Sequence, residues 1–195
     1  MTTTVDRSEA LAERLFGAPI DALELYSIYL GSELRLYAAL ERHGALTAAE
    51  LADDAGIAPR YAREWLEQQA VARLLAVDDV GAGAHARRYA LDAEHARVLA
   101  APDDAAHVSP FAHMIAGIGG VLDQLLGAYR SGGGVPYHHY GKAFRHGQGH
   151  IKRPAFVHEL PTSWLDAMPD IRGRLRERGG RVADVGCGGA SPRSP

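Results

Sequence analysis

Leu46-Thr-Ala-Ala-Glu-Leu-Ala-Asp-Asp-Ala-Gly56, followed by Pro59-Arg-Tyr-Ala-Arg-Glu-Trp-Leu-Glu-Gln-Gln-Ala-Val71, is the stretch that decides the fold. Thr47 and Glu50 have the spacing of a capping box, in which each side chain satisfies a free N–H at the start of a helix. Gly56 suits the left-handed residue that ends such a helix. Pro59 then opens another, because at a first helical position its missing N–H costs nothing. Tyr61, Trp65, Leu66 and Gln69 follow at helical spacing, to about Ala72. Two short helices about a glycine-containing turn make a helix-turn-helix.

Downstream, Leu74–Val77 and Arg88–Leu91 are short strand candidates on either side of the Gly-rich turn 78–86 and read as a hairpin wing. The whole, from about Leu40 to Ala100, is a winged helix. Upstream, residues 6–16 have helix-forming composition, and Pro19 suits the first position of a second helix, 20–42. Leu23, Tyr26, Leu30, Leu34 and Tyr37 form one apolar stripe on it; Leu25, Tyr29, Leu36 and Leu40 form another beside it. A helix apolar on so much of its girth needs cover on more than one side, so helix 20–42 is either central to its domain or the contact of a homodimer.

Past the wing, residues 106–129 are helical in pattern, and Ser131-Gly-Gly-Gly134 ends them as a hinge. Residues 137–178 are expected to be short helices broken by glycine and proline. Arg181-Val-Ala-Asp-Val185 reads as a buried strand running into Gly186-Cys-Gly-Gly-Ala190. Three regions result: 1–104, the winged-helix part with its amino-terminal helices; 105–179, a helical linker or lid; and 180–195.

The last region carries the chemistry. Glycines after a strand let a backbone approach a nucleotide-like ligand without a Cβ in the way, and a carboxylate at the strand end accepts hydrogen bonds from a ligand amine or hydroxyl. Asp184, Gly186, Cys187 and Gly188 are therefore the candidate cofactor-binding residues. A dinucleotide loop would continue with a glycine at position 191 and a helix; Ser191 and Pro192 disfavour that reading.

Val182-Ala-Asp-Val-Gly-Cys-Gly188 resembles the first motif of class I S-adenosylmethionine-dependent methyltransferases. The order of winged helix, linker with Tyr137-His-His-Tyr-Gly141, Trp164 and then this motif is similar to two-domain bacterial members related in layout to small-molecule O-methyltransferases. The resemblance covers about residues 20–189. It implies a mainly α chain: a winged helix-turn-helix domain, a helical linker, and the first strand of a Rossmann-like methyltransferase domain. It implies S-adenosylmethionine as the family's cofactor, a small-molecule methyl acceptor, and a winged helix that serves as dimerisation and lid module. Tyr140, Phe156 and Trp164 would line the pocket by the same analogy; no catalytic base stands out. Where relatives continue, this sequence gives Gly189-Ala-Ser-Pro-Arg-Ser-Pro195. A parallel strand needs neighbours and covering helices, and residues 187–195 are fewer than the roughly dozen that one crossover takes. The expectation is a chain truncated at this motif, with residues 181–195 loosely held, doubtful cofactor binding and no activity on its own.

Composition narrows the alternatives. Of 195 residues, 47% are hydrophobic, enough to bury a core. One cysteine permits no internal disulfide and the amino terminus shows no export signal, so a cytoplasmic protein is expected. No apolar run reaches the ~20 residues of a membrane span. The net charge of −3 is divided unevenly: residues 1–140 carry 11 basic and 19 acidic side chains, residues 141–195 carry 10 and 5. Residues 41–100 hold 7 arginines against 10 acids, a poor surface for displacing phosphate counterions, so a DNA-binding regulator is the lesser alternative beside a purely structural dimerisation module.

His138, His139, His146, His150 and His158 invite a metal reading. Gly147 and Gly149 make a helix carrying the His146–His150 pair doubtful, and no cysteine lies near, so linker or pocket-lining roles are preferred and no metal is expected. Cys187 has no sequence neighbour to serve as base and is not read as a nucleophile. Arg172, Arg174, Arg176 and Arg178 read as a solvated helix end.

Overall fold

The computed structural model describes residues 6–181, Ala183 and Val185. Helix makes up 67% of the described residues and strand 3%, which makes it a mainly α protein. It divides into two compact units, residues 1–91 and 92–195; the Ser131–Gly134 run lies inside the second.

The first unit begins with α1, Arg7–Glu33, capped by Asp6, whose carboxylate accepts from the Ser8 N–H at 2.9 Å. The break expected at Pro19 does not occur: the proline sits inside α1. Its ring deprives the Leu15 carbonyl of a donor, but Leu15 and its neighbours are exposed, so water can take the donor's place. The chain turns instead at Arg35, which adopts a left-handed conformation (φ 58°), and α2 runs from Leu36 to His43. One helix 20–42 is thus two helices, divided where tertiary packing demands it rather than where proline permits it.

The helix-turn-helix forms as read. In α3, Ala48–Ala55, the Thr47 hydroxyl accepts from the Glu50 N–H at 3.3 Å while a Glu50 oxygen accepts from the Thr47 N–H at 2.8 Å. Gly56 closes α3 at φ 64°, and α4, Pro59–Val71, starts with proline at its first position. The wing is shorter than expected. β1, Ala76–Val77, pairs antiparallel with β2, Tyr89–Ala90, in the register Ala76↔Ala90 and Val77↔Tyr89. Leu46 joins through a bridge to Tyr89, with N–O distances of 3.0 and 2.8 Å, tying the wing to the entry of α3.

Leu36, Tyr37, Leu40, Leu51, Leu66 and Tyr89 are the buried centre of this unit. Each large apolar side chain there contributes roughly 2 kcal/mol of transfer free energy. A polar staple runs through it. The Tyr37 hydroxyl donates to Gln69 Oε1, whose amide nitrogen donates to Ser27 Oγ at 3.1 Å and to Gln68 Oε1 at 2.7 Å; Trp65 Nε1 donates to the Ser27 carbonyl at 3.0 Å. Tyr37 and Trp65 also meet edge to face at 5.1 Å. These contacts join α1, α2 and α4.

In the second unit, α5 spans Ala93–Leu99, α6 Pro110–Gly119 and α7 Leu122–Ser131. The helix expected over 106–129 is therefore two, bent by 60° at Gly120–Val121. Gly132 caps α7 in the left-handed region at φ 73°. A 3₁₀ turn, Tyr137–Tyr140, leads into α8, Gly141–His150, followed by α9, Arg153–His158, a π turn at Leu160–Trp164, and α10, Pro169–Arg178. The doubt placed on a helix at His146–His150 is corrected here. Gly147 is required in α8 because the helix crosses α6 closely: a Cβ on it would sit 2.5 Å from the Pro110 carbonyl oxygen, and one on Gly117 of α6 would sit 2.5 Å from Phe144 Cβ. No single helix among the described residues is long and apolar enough to cross a membrane.

Candidate functional site

Asp184, Gly186, Cys187 and Gly188, the residues expected to bind a cofactor, lie outside the described residues, as do Val182 and the remainder of the chain to Pro195. Of the strand expected over 181–185, Arg181, Ala183 and Val185 are described and none is in a strand; Val185 is exposed.

The described site elements gather around α8, α9 and the π turn. Phe156 and Trp164 meet edge to face at 5.5 Å, and Trp164 Nε1 donates to Glu159 Oε2 at 3.1 Å. Tyr140 does not join that pair but tilts against Phe144 at 4.9 Å, and Tyr137 meets the same ring edge to face at 6.2 Å. The Tyr137 hydroxyl donates to Gln148 Oε1 at 2.5 Å. Of the three aromatics proposed to share a pocket, Phe156 and Trp164 meet each other while Tyr140 meets Phe144 instead. Phe156, Trp164, Leu160 and Met168 leave much of their apolar surface open, as a binding surface requires.

A depression of about 500 Å³ opens between the segment after α5 and the end of α9, lined by Arg97, Ala101, Pro102, Asp103, Asp104, Ala105 and His158. Arg97 Nε donates to Asp104 at 2.8 Å; Arg153 pairs with Asp103, and His158 Nε2 donates to the Asp103 carbonyl at 2.5 Å. The hydrogen bond from Arg153 holds the Asp103 carboxyl below its usual range, and that from Arg97 does the same for Asp104. Both are fixed anions, so they clamp the loop and are poorly placed to take up a proton in catalysis. The contacts of Asp103 with Arg153 and His158 are long-range in sequence and no motif announces them.

Histidines gather at the α6–α8 crossing. His113 is buried, its ring 4.7 Å from that of His146, and His146 stacks on His150 at 3.9 Å. The sequence reading singled out His146 and His150 but missed His113, whose signal was a polar residue in the apolar run Pro110-Phe-Ala-His-Met-Ile-Ala116. Among the described residues no group of three or more His, Cys, Asp or Glu side chains is placed to hold a metal ion.

On the winged helix, α4 presents Arg60 paired with Glu64 at 3.4 Å, and Glu67 faces Arg87 of the wing at 3.9 Å. Two of the arginines that a phosphate backbone would need are thus met by acids.

The family model for the Rv2258c-like winged HTH domain matches residues 22–101. No curated protein is significantly similar to the chain. Among solved structures, human N-acetylserotonin methyltransferase in complex with SAM is similar over 82% of this chain and 48% of its own, with 16% identity and a TM-score of 0.54. The mitomycin 7-O-methyltransferase covers 86% of this chain and 45% of its own, with 21% identity and a TM-score of 0.46. The chain spans about half the length of these structures. Residues 22–101, which that family model matches, form a winged helix-turn-helix, and the mainly helical chain is similar in fold to human N-acetylserotonin methyltransferase.

Proposed function

We propose that this chain is part of a protein that carries out S-adenosylmethionine-dependent methyl transfer to a small-molecule acceptor, and that by itself it holds the cofactor without completing the transfer. The observation that carries the reading is the conjunction of a fold shared with a methyltransferase over 82% of the chain and the sequence Val182-Ala-Asp-Val-Gly-Cys-Gly188. The glycine loop would approach the cofactor through backbone atoms, with Asp184 orienting its methionine end. Exposed Phe156 and Trp164 offer the apolar surface against which a small acceptor can be held. Methyl transfer rests largely on holding donor and acceptor in line, and this positioning, more than a proton acceptor, is what the helical second unit supplies. The test is titration calorimetry of S-adenosylmethionine into the protein beside Asp184→Asn and Gly186→Val. Saturable binding, weakened about tenfold or more in each variant, is the expected result. Absence of heat at millimolar cofactor, or equal binding by the variants, would defeat the reading.

A homodimer through the segment 20–42 belongs to the same proposal. Leu23, Tyr26, Leu30 and Leu34 are all exposed within it, as a face awaiting a partner would be. A DNA-reading role is not favoured, because Arg60 of α4 and Arg87 and Arg88 of the wing are each paired with an acid of the same unit.

A further inference from the structure

Three imidazoles form a ladder from solvent into the seam between α6 and α8. His146 is at the surface; on one side it stacks on His150, rings 18° apart, and on the other it tilts against buried His113. His150 Nδ1 lies 2.9 Å from the His146 carbonyl oxygen, so that nitrogen carries a hydrogen and donates it. Adding a proton to His113 sets a buried cation at the inner end of this stack, beside the His146 ring.

No carboxylate in the two helices offsets such a charge. Neither α6 nor α8 contains an aspartate or glutamate, and the other ionisable side chains of α8 are Lys142 and Arg145. The titratable groups acting on His113 are His146 and His150 from α8 and His107 from the segment before α6, and all three oppose a proton on it. Asp103 and Asp104, which favour a proton on His107, are already engaged by Arg153 and Arg97. Burial is the largest cause and, with these neighbours, it holds His113 down to about 4.

The seam also leaves no slack. With Gly117 against Phe144 and Gly147 against the Pro110 carbonyl, the helices cannot shift locally to admit water beside a charged ring; they must part. We propose that the α6–α8 crossing is a proton-sensitive joint, closed while the buried His113 ring is neutral and loosened when acid charges it. The joint rests on α6 and α8 alone and is independent of the methyl-transfer reading.

The experiment is amide hydrogen exchange on the full chain at about pH 7.5 and about pH 5, with protection factors corrected for intrinsic rates. Protection in α6 and α8 is expected to fall about tenfold or more at the lower pH, while α3 and α4 change little. His146→Gln, a surface change that leaves the glycine seam intact, is expected to reduce that fall to about threefold or less. NMR titration of the His113 ring in the wild-type chain should show it neutral at about pH 5 in the closed form. Equal loss of protection in both units, an unaltered fall in His146→Gln, or His113 titrating like a free imidazole would each overturn the proposal.

Discussion

Gln69 occupies a fully buried position that a leucine would fill almost as well by volume, so its amide is there for what it bonds. It accepts from Tyr37 and donates to Ser27 and Gln68. Replacing a hub strands its partners, and a stranded buried polar group costs more than an intact hydrogen bond contributes. Gln69→Leu should therefore destabilise the first unit by roughly 2–4 kcal/mol, against roughly 1–2 kcal/mol for Tyr37→Phe, which leaves the other two bonds in place. Denaturant unfolding followed by Trp65 fluorescence in a Trp164→Phe background checks the order. Equal losses would mean that the phenol, not the amide, organises the staple. At the same scale, His113 sets a pH dependence on the second unit. Its folded value, about 4, lies below the ordinary 6.5, so above 6.5 neither state is protonated and nothing is lost. As pH falls from 6.5 toward 4 the unfolded chain takes up a proton that the folded chain refuses, and stability declines by at most about 3 kcal/mol. Unfolding at a series of pH values, beside His113→Leu, should show that slope flattened in the variant.

Among elements, those written by local chemistry were legible. Thr47, Glu50, Gly56 and Pro59 fix the ends of α3 and α4 through bonds made within a turn of themselves, so the sequence contains their whole cause. Pro19 and Gly147 were misread for the converse reason. Whether a proline breaks a helix depends on whether the carbonyl it deprives can find water, and whether a glycine weakens one depends on what crosses it; neither fact is local. The candidate site divides in the same way: a glycine loop after an acidic residue can be read as a motif, whereas His113 or the Asp103–Arg153 pair becomes visible only when distant segments meet. Two glycines turn this into a measurement. Gly127 in α7 has open space where a Cβ would go, so Gly127→Ala should gain the helix preference of alanine, roughly 0.5–1 kcal/mol. Gly147→Ala gains the same preference but drives its methyl into the Pro110 carbonyl and Met114, an overpacking cost of roughly 1–3 kcal/mol or more, so the net effect is loss. Thermal unfolding of the two variants should move in opposite directions, and a stabilised Gly147→Ala would show that the crossing is looser than described.

At the scale of the whole molecule, the unanswered apolar surface is that of α1. Ile28 and Gly31 face the core, yet Phe16, Ile20, Leu23 and Leu30 follow one another at helical spacing along a face left 81%, 62%, 67% and 49% exposed. A stripe that continuous is costly to leave in water: at roughly 25 cal/mol per Å², covering it on two copies would outweigh much of the entropy lost on association. The charged residues beside it, Glu13, Asp21 and Glu24 among them, are mostly acidic, and a helix packing antiparallel on its own copy still pairs apolar with apolar along the stripe. Sedimentation equilibrium should therefore give a mass about twice the 20.9 kDa of the chain at micromolar concentration. Ile20→Glu with Leu23→Glu should return it to the single-chain mass with helicity unchanged, since both side chains lie outside the core. The polar staple is made by Ser27, Tyr37, Gln68 and Gln69, none of which these changes touch, so loss of helicity in the double variant would place Ile20 and Leu23 in the fold rather than in an interface. A wild-type chain that stays at the single mass as its concentration rises would remove the dimer and leave the stripe to another kind of partner.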